Sequence, residues 1–135
     1  MTTLDVATCW ALLAAESIGR VLYTYNALPS IRPVSYALDD QRIVFRTSAG
    51  SSLARAVIDQ VVAFETDVIN RRSHAGWSVV ATGIARSVAG PGEPALAAGR
   101  GAVRRIDGPS EVFFAITPAM LVGRAYRVGA RSTGC

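Results

Sequence analysis

The feature that most limits the fold is a succession of short alternating segments, each closed off by turn residues. Residues 20–25 set Val21, Tyr23 and Tyr25 on one side and Arg20, Leu22 and Thr24 on the other, the period of two that marks a half-buried strand. The same reading predicts strands over residues 31–38, 42–47, 61–69, 76–88, 111–117 and 120–128. Turn signals separate them: residues 26–30 with Leu28-Pro29, the hairpin Asp39-Asp40-Gln41, the polar loop 70–75, and Gly90-Pro91-Gly92. Pro33 has no N–H to give to a ladder, so its strand is expected to run along an edge or bulge there. Gly83, in the middle of 76–88, marks a bulge or a barrel corner. About seven strands with few full-length helices between them argue against a doubly wound sheet. They point to a mainly β fold with short helices, a closed barrel or a sandwich.

Helical spacing occurs in three places. Residues 2–16 are expected to form a helix capped by Thr2, with Asp5 in its first turn and Val6, Cys9, Leu12 and Leu13, beside Trp10, as the buried stripe. A second short helix is expected over 53–58, and a third within 93–101. At 135 residues the chain fits one domain, read as 1–128 with a disordered tail at 129–135. Half the residues are hydrophobic and 18% are charged, which excludes wholesale disorder. No apolar run approaches the roughly 20 residues of a spanning helix. The first residues lack the basic start of a signal peptide, so a cytoplasmic protein without a membrane partner is expected. Cys9 and Cys135 offer neither a disulfide framework nor metal-ligand spacing. Cys9 reads as a small packed hydrophobe and Cys135 as a loose terminal residue.

The net charge is +4, and every basic side chain is Arg. Arg is the better bidentate ligand for phosphate. Apart from Arg71-Arg72 and Arg104-Arg105 the charges are scattered, whereas a nucleic-acid binder more often shows a dense basic stripe. A phosphorylated small molecule suits this balance. The stretch from Ile43 to Leu53 passes from a strand through a Ser/Gly loop straight into a helix. Gly50 lets backbone come close to a ligand, Thr47, Ser48, Ser51 and Ser52 supply hydroxyls, and Arg46 adds a fork of charged donors. Such a set can hold a phosphate, with charge-assisted bonds worth roughly 1.5–3 kcal/mol each; an ordinary capped helix start is the simpler alternative.

A wider pattern runs through the chain: Pro29-x-x-Arg32-x-Val34, then Arg42-Ile43-Val44-Phe45-Arg46-Thr47, Gly50-Ser51, Val62-Ala63-Phe64-Glu65-x-Asp67, Gly76-Trp77-Ser78-Val79-Val80-x-Thr82-Gly83 and Val122-Gly123-Arg124. This order resembles the pyridoxamine 5'-phosphate oxidase-related, FMN-binding split-barrel family, in particular its short, nitroimidazole-reductase-like branch. The resemblance spans residues 5–127 or so. It implies a Greek-key-like split β-barrel homodimer with a flavin site at each subunit interface. In it Phe45, Arg46, Thr47, Gly50, Ser51 and Ser52 would contact the ribityl phosphate, and Arg32, Pro33 and Val34 would line the ring. Trp77, Ser78 and Arg124 would come from the partner subunit. The implied cofactor is FMN, with a deazaflavin coenzyme as the alternative. Members of that family often carry a Lys or Arg where this chain has Ser52, a charge that Arg46 or Arg55 would then supply. A barrel this small has its interior filled by side chains, so the cofactor would sit outside it, against a neighbour.

Other candidates carry ordinary readings beside functional ones. His74 is a solvated loop residue or a group titrating near the flavin. Glu65 and Asp67 share a strand face, as a structural pair or as acid–base groups. Tyr23 is expected in the core, Tyr25 and Tyr36 could stack on a ring, and Trp77 is a core residue or a dimer anchor. The leading expectation is a flavin-dependent oxidoreductase acting on a small molecule, with the hydride chemistry carried by the cofactor and no catalytic side chain required. A non-catalytic flavin binder or redox sensor, and a basic barrel for nucleic acid, are the competing readings.

Overall fold

The computed structural model describes residues 1–88 and 111–127. The chain order is β1 (Thr2–Leu4), α1 (Val6–Ala14), β2 (Ile18–Tyr25), β3 (Leu28–Asp39), β4 (Arg42–Ser48), α2 (Ser52–Val57), β5 (Val61–Ile69), β6 (Gly76–Val88), β7 (Glu111–Ile116) and β8 (Met120–Tyr126). The third helix expected within 93–101 and the tail at 129–135 lie outside the described residues. No helix among the described residues is long and apolar enough to cross a membrane.

The first helix starts later than its spacing suggested. Asp5, not Thr2, is the N-cap: its carboxylate accepts the Thr8 amide at 2.8 Å, and hydrogen bonding from the Thr8 side chain and then its amide holds its pKa below the usual value. Thr2 to Leu4 instead form a strand that pairs with β8, Thr3 lying opposite Arg124. That partner is over a hundred residues away, so nothing local announces the strand. The first hairpin is also tighter than expected. Asn26 and Ala27 both take left-handed φ values, 52° and 64°, the two-residue turn that matches strand twist. Leu28 and Pro29 therefore belong to β3, opposite Tyr25 and Thr24.

All pairings are antiparallel, in the order β1-β8-β6-β5-β2-β3-β4-β7, and β7 also pairs with β6. Six strands (β6, β5, β2, β3, β4 and β7) thus close into a split β-barrel. The free edge of β6 has two successive neighbours: Gly76 to Thr82 face β8, and Ala85 to Val88 face β7. Gly83 lies at the change, where a Cβ would stand 2.7 Å from the Thr117 carbonyl oxygen. It is the barrel corner the sequence marked. Pro33 sits where β3 has β2 on one side and β4 not yet on the other, since β4 pairs only from Tyr36 onward. The missing N–H costs no ladder bond there.

The interior is solid. Val21, Tyr23, Val34, Tyr36, Phe45 and Phe64 are among its buried side chains. Tyr36 meets Phe64 edge-on at 4.7 Å, and Phe45 stacks on Phe114 at 5.7 Å. The Tyr36 hydroxyl donates to the Leu13 carbonyl at 2.6 Å, and burial pushes its pKa up, so Tyr36 is a core residue tying α1 to the barrel. Buried Cys9 packs where β8 comes closest to α1: a Cβ on Gly123 would stand 2.4 Å from its Sγ. Gly123→Ala should therefore destabilise the fold by about 1–3 kcal/mol. In urea unfolding, the Cys9→Ala/Gly123→Ala pair should lose less than the sum of the single losses.

Candidate functional site

Several of the residues singled out from sequence converge where β4 leads into α2. Ser51 caps α2, its Oγ accepting the Ala54 amide at 3.0 Å, and lies 3.1 Å from Thr47 Oγ1. Ser52 follows, its Oγ 3.4 Å from the Tyr23 hydroxyl and 3.5 Å from Arg32 Nη2 on β3. Gly50 is exposed, with nothing within 4 Å of where a Cβ would lie. Arg55, one turn into α2, reaches back: Nη1 donates to the Gly50 carbonyl at 3.1 Å, and Nη2 to the Tyr25 hydroxyl at 3.4 Å. Two guanidinium groups thus flank the 50–52 turn, Arg32 from β3 and Arg55 from α2. Tyr23 and Tyr25 brace the arrangement from β2, Tyr23 from within the core.

Arg46 is placed differently from the sequence expectation. Successive side chains of β4 alternate, so Phe45 and Thr47 face the core while Arg46 points through the opposite side of the sheet. There its Nη1 pairs with Glu111 Oε1 at 3.3 Å, the two side chains only 10% and 8% exposed. The strand's own period turned this group away from the hydroxyls, a signal already visible in the alternation Phe45-Arg46-Thr47. Phe45 and Val34 are buried in the core, and Pro33 is exposed on the outer face, opposite Arg20 in register.

Trp77, Ser78 and Arg124 form a second location, on β6 and β8. Trp77 is half-buried against the core. Ser78 points outward, directly opposite Arg124 in register, with its Oγ 3.0 Å from the Tyr126 hydroxyl. Within one chain β5 and β2 stand between this location and the Arg32 side. Tyr126 carries no local sequence signal, because its link to Ser78 exists only across strands.

Whereas Arg32, opposite buried Val21 in register, lies on the inner face of the sheet, the outer face of β2, β5, β6 and β8 carries Ser78 and Arg124. One row across it reads Ile31, Leu22, Ala63, Thr82, Met120, and the next reads Pro33, Arg20, Glu65, Val80, Val122. Met120 and Val61 are 60% and 66% exposed, and with Ile84 they border a largely apolar cavity of about 480 Å³. Glu65 pairs with Arg20 at 3.0 Å. Burial, with Asp67 beside it on the same face, raises its pKa to about 7. His74 is exposed in the β5–β6 loop with a left-handed φ of 60°, and its amide donates to the Asn70 carbonyl at 2.7 Å.

A closed six-stranded antiparallel barrel with a filled interior, flanked by two further strands on the free edge of β6, is a split barrel. The sequence profile of the pyridoxamine 5'-phosphate oxidase family matches residues 5–125, and the chain belongs to that family. It is 41% identical over 93 residues to the uncharacterised protein Rv0080 of Mycobacterium tuberculosis, an alignment that takes in 65% of this chain and 61% of that protein. Among solved structures it is similar to an FAD-binding protein from Mycobacterium smegmatis, at 31% identity and a TM-score of 0.78, covering 93% of this chain and 100% of the other. It is also similar to a Corynebacterium diphtheriae protein of unknown function, at 29% identity and a TM-score of 0.73, covering 93% and 97%.

Two outcomes follow from the ion pairs. Glu111→Ala leaves the Arg46 charge in a buried place and should cost about 3–5 kcal/mol in urea unfolding. Glu65 binds its proton more tightly folded than unfolded, so its contribution to stability should be full below about pH 4.5 and fall as the pH rises to about 7. Glu65→Gln should remove that slope from a pH series of unfolding midpoints.

Proposed function

We propose that the protein binds a flavin by its phosphate at the 50–52 turn and works as a flavin-dependent oxidoreductase on a small molecule. The observation that carries this reading is the pair of guanidinium groups, Arg32 and Arg55, set around Ser52 and Gly50 with the hydroxyls of Thr47 and Ser51 alongside. The donor set fits an anion: two fixed cations, hydroxyl groups, and a glycine that leaves room for close approach. It also meets the absence of a cation at position 52, because Arg55 brings a charge to the same turn. Arg20, Arg42, Arg46 and Arg86 each pair with a carboxylate, so the surplus charge is not spread as a track for nucleic acid.

A bound flavin would supply hydride transfer, and the chain's own residues would position it. Arg32, Arg55, Thr47, Ser51 and Ser52 would hold the phosphate, with Pro33 at the edge of the ring. The solid interior keeps the ring outside the barrel, where a second copy is needed to cover it. We assign that cover to the outer face of β2, β5, β6 and β8, in a homodimer whose Ser78, Tyr126 and Arg124 reach the other copy's cofactor.

FMN is the cofactor this reading names first, and a deazaflavin coenzyme with the same phosphate anchor is compatible with it. A second reading is favoured by Arg55. Its guanidinium stands at the Gly50 carbonyl and the Tyr25 hydroxyl, a second cation of the kind a longer, diphosphate tail would need, and the similar Mycobacterium smegmatis protein is an FAD-binding protein.

The visible spectrum of the purified protein, followed by titration with riboflavin, FMN, FAD and a deazaflavin, tests the proposal. Riboflavin, lacking phosphate, should bind much more weakly than FMN. Arg32→Gln and Arg55→Gln should each weaken FMN binding by about tenfold to a hundredfold, the worth of one charge-assisted bond. Equal affinity for riboflavin and FMN would remove the phosphate site. Oxidation of a reduced nicotinamide with an electron acceptor separates an enzyme from a flavin store.

A further inference from the structure

Four hydroxyl groups meet at the 50–52 turn, each with one hydrogen to give and two lone pairs to fill. Two belong to buried side chains, Tyr23 and Thr47, and two to half-buried ones, Ser51 and Ser52. They lie in two pairs, Tyr23 with Ser52 at 3.4 Å and Thr47 with Ser51 at 3.1 Å. One hydrogen lies between the two oxygens of each pair, so each pair has one hydrogen left over. Burial, and the donors already at the serines, decide which one it is.

Ser52 Oγ accepts from Arg32 Nη2 at 3.5 Å, and Ser51 Oγ accepts the Ala54 amide at 3.0 Å. Each serine therefore has one lone pair filled before its partner hydroxyl is considered. The Tyr23 and Thr47 residues are only 7% and 4% exposed, and their hydroxyls have no hydrogen-bond partner other than these serines among the described residues. A buried O–H that keeps its hydrogen unpaired bears the full cost of losing water, whereas a half-exposed serine can give its hydrogen to solvent or to a ligand. Tyr23 and Thr47 therefore donate, and Ser52 and Ser51 accept. A serine oxygen with both lone pairs filled can act only as a donor, and its hydrogen points away from both partners.

Resting on the phosphate site proposed above, we infer that Tyr23 and Thr47 are its positioning residues: by donating to Ser52 and Ser51 they turn both serine hydrogens outward, so that the turn meets a ligand as a set of donors and takes an oxyanion in preference to a neutral polar group. Thr47 contributes to the grip on phosphate through Ser51, not by its own hydrogen. The outward serine hydrogens stand with the N–H groups of Arg32 and Arg55, and an ionised phosphate oxygen, which only accepts, suits all of them. A ligand hydroxyl or amide brings a hydrogen of its own and finds both serine lone pairs already taken. Without the phenol of Tyr23, one lone pair of Ser52 is released and its hydrogen is no longer held outward. The ring of Tyr23 fills the core in either case; the orienting role belongs to its oxygen alone.

Fluorescence titration of the full chain with FMN and with riboflavin tests this. Tyr23→Phe and Thr47→Val keep the shape of each side chain and remove one hydroxyl. Each should weaken FMN binding by about threefold to tenfold, the worth of one neutral hydrogen bond, and leave riboflavin binding unchanged. A purely structural role would lower the urea midpoint without altering the ratio of the two affinities, so the ratio separates orientation from packing. The Tyr23→Phe/Ser52→Ala pair should lose no more FMN affinity than Ser52→Ala alone, because Tyr23 acts through Ser52. A preference for FMN kept in full by either single variant overturns the role of that residue and leaves the phosphate site standing. Losses at Tyr23 and Ser52 that simply add overturn the route through Ser52. A natural chain that binds riboflavin as tightly as FMN, or binds neither, overturns both the inference and the phosphate site.

Discussion

β6 bonds with β5 along one edge, and with β8 and then β7 along the other, changing partners at Gly83. The rest of the architecture follows from that division. Its second half closes the six-stranded barrel, while its first half carries β8 and, beyond it, β1 as a flap that α1 covers. A side chain at Gly83 would collide with the Thr117 carbonyl, at the connection between the two alternative neighbours. The small barrel that results is filled by its own aromatic and branched side chains. A cofactor-sized ligand is thereby excluded from the interior, and every group able to hold one has to be found at the rim or on the outer wall.

The rim receives its polar side chains from elements that are otherwise structural. Tyr23 belongs to the core, yet its hydroxyl lies near Ser52. Ser51 is needed as a helix cap, and its oxygen also contacts Thr47. Arg55 is braced by the Gly50 carbonyl and the Tyr25 hydroxyl. Groups held by capping and packing lose less freedom on meeting an anion than free surface side chains would, so less of their binding energy is spent on ordering. α2 has only six residues, and its first-turn Ala54 amide is already bonded to Ser51. The attraction for an anion therefore resides in the guanidinium and hydroxyl groups more than in the helix end.

Much of the barrel was legible in the sequence because period-two alternation is imposed by the strand itself, whatever its partner. Val21-Tyr23 and Val62-Phe64 announced their buried face in this way, and Pro33 and Gly83 announced an edge and a corner. Three things were hidden for physical reasons. β1 exists only through pairing with β8, a contact with no local trace. Ala27 adopts a left-handed turn conformation that its side chain does not favour, so the hairpin tip was not recognisable from composition. The Ser78–Tyr126 contact depends on cross-strand register. Arg46 is a different case: the information was present, since neighbours of Phe45 and Thr47 on one strand must face the other way, but proximity in sequence was read as proximity in space.

The outer wall shows why a sheet face cannot be judged from hydrophobicity alone. Its rows combine exposed Leu22, Ile31 and Met120 with Arg20, Glu65 and Asp67, and neither set would mark a binding face by itself. Apolar residues scattered over a surface are ordinary, and an exposed ion pair contributes little. Their arrangement in register is what changes the account. The strands hold the carboxylates side by side and give them one close cation, while the adjacent row offers area to bury. Burial of that area raises the energetic consequence of every charge beside it, so packing and protonation on this face are not independent quantities.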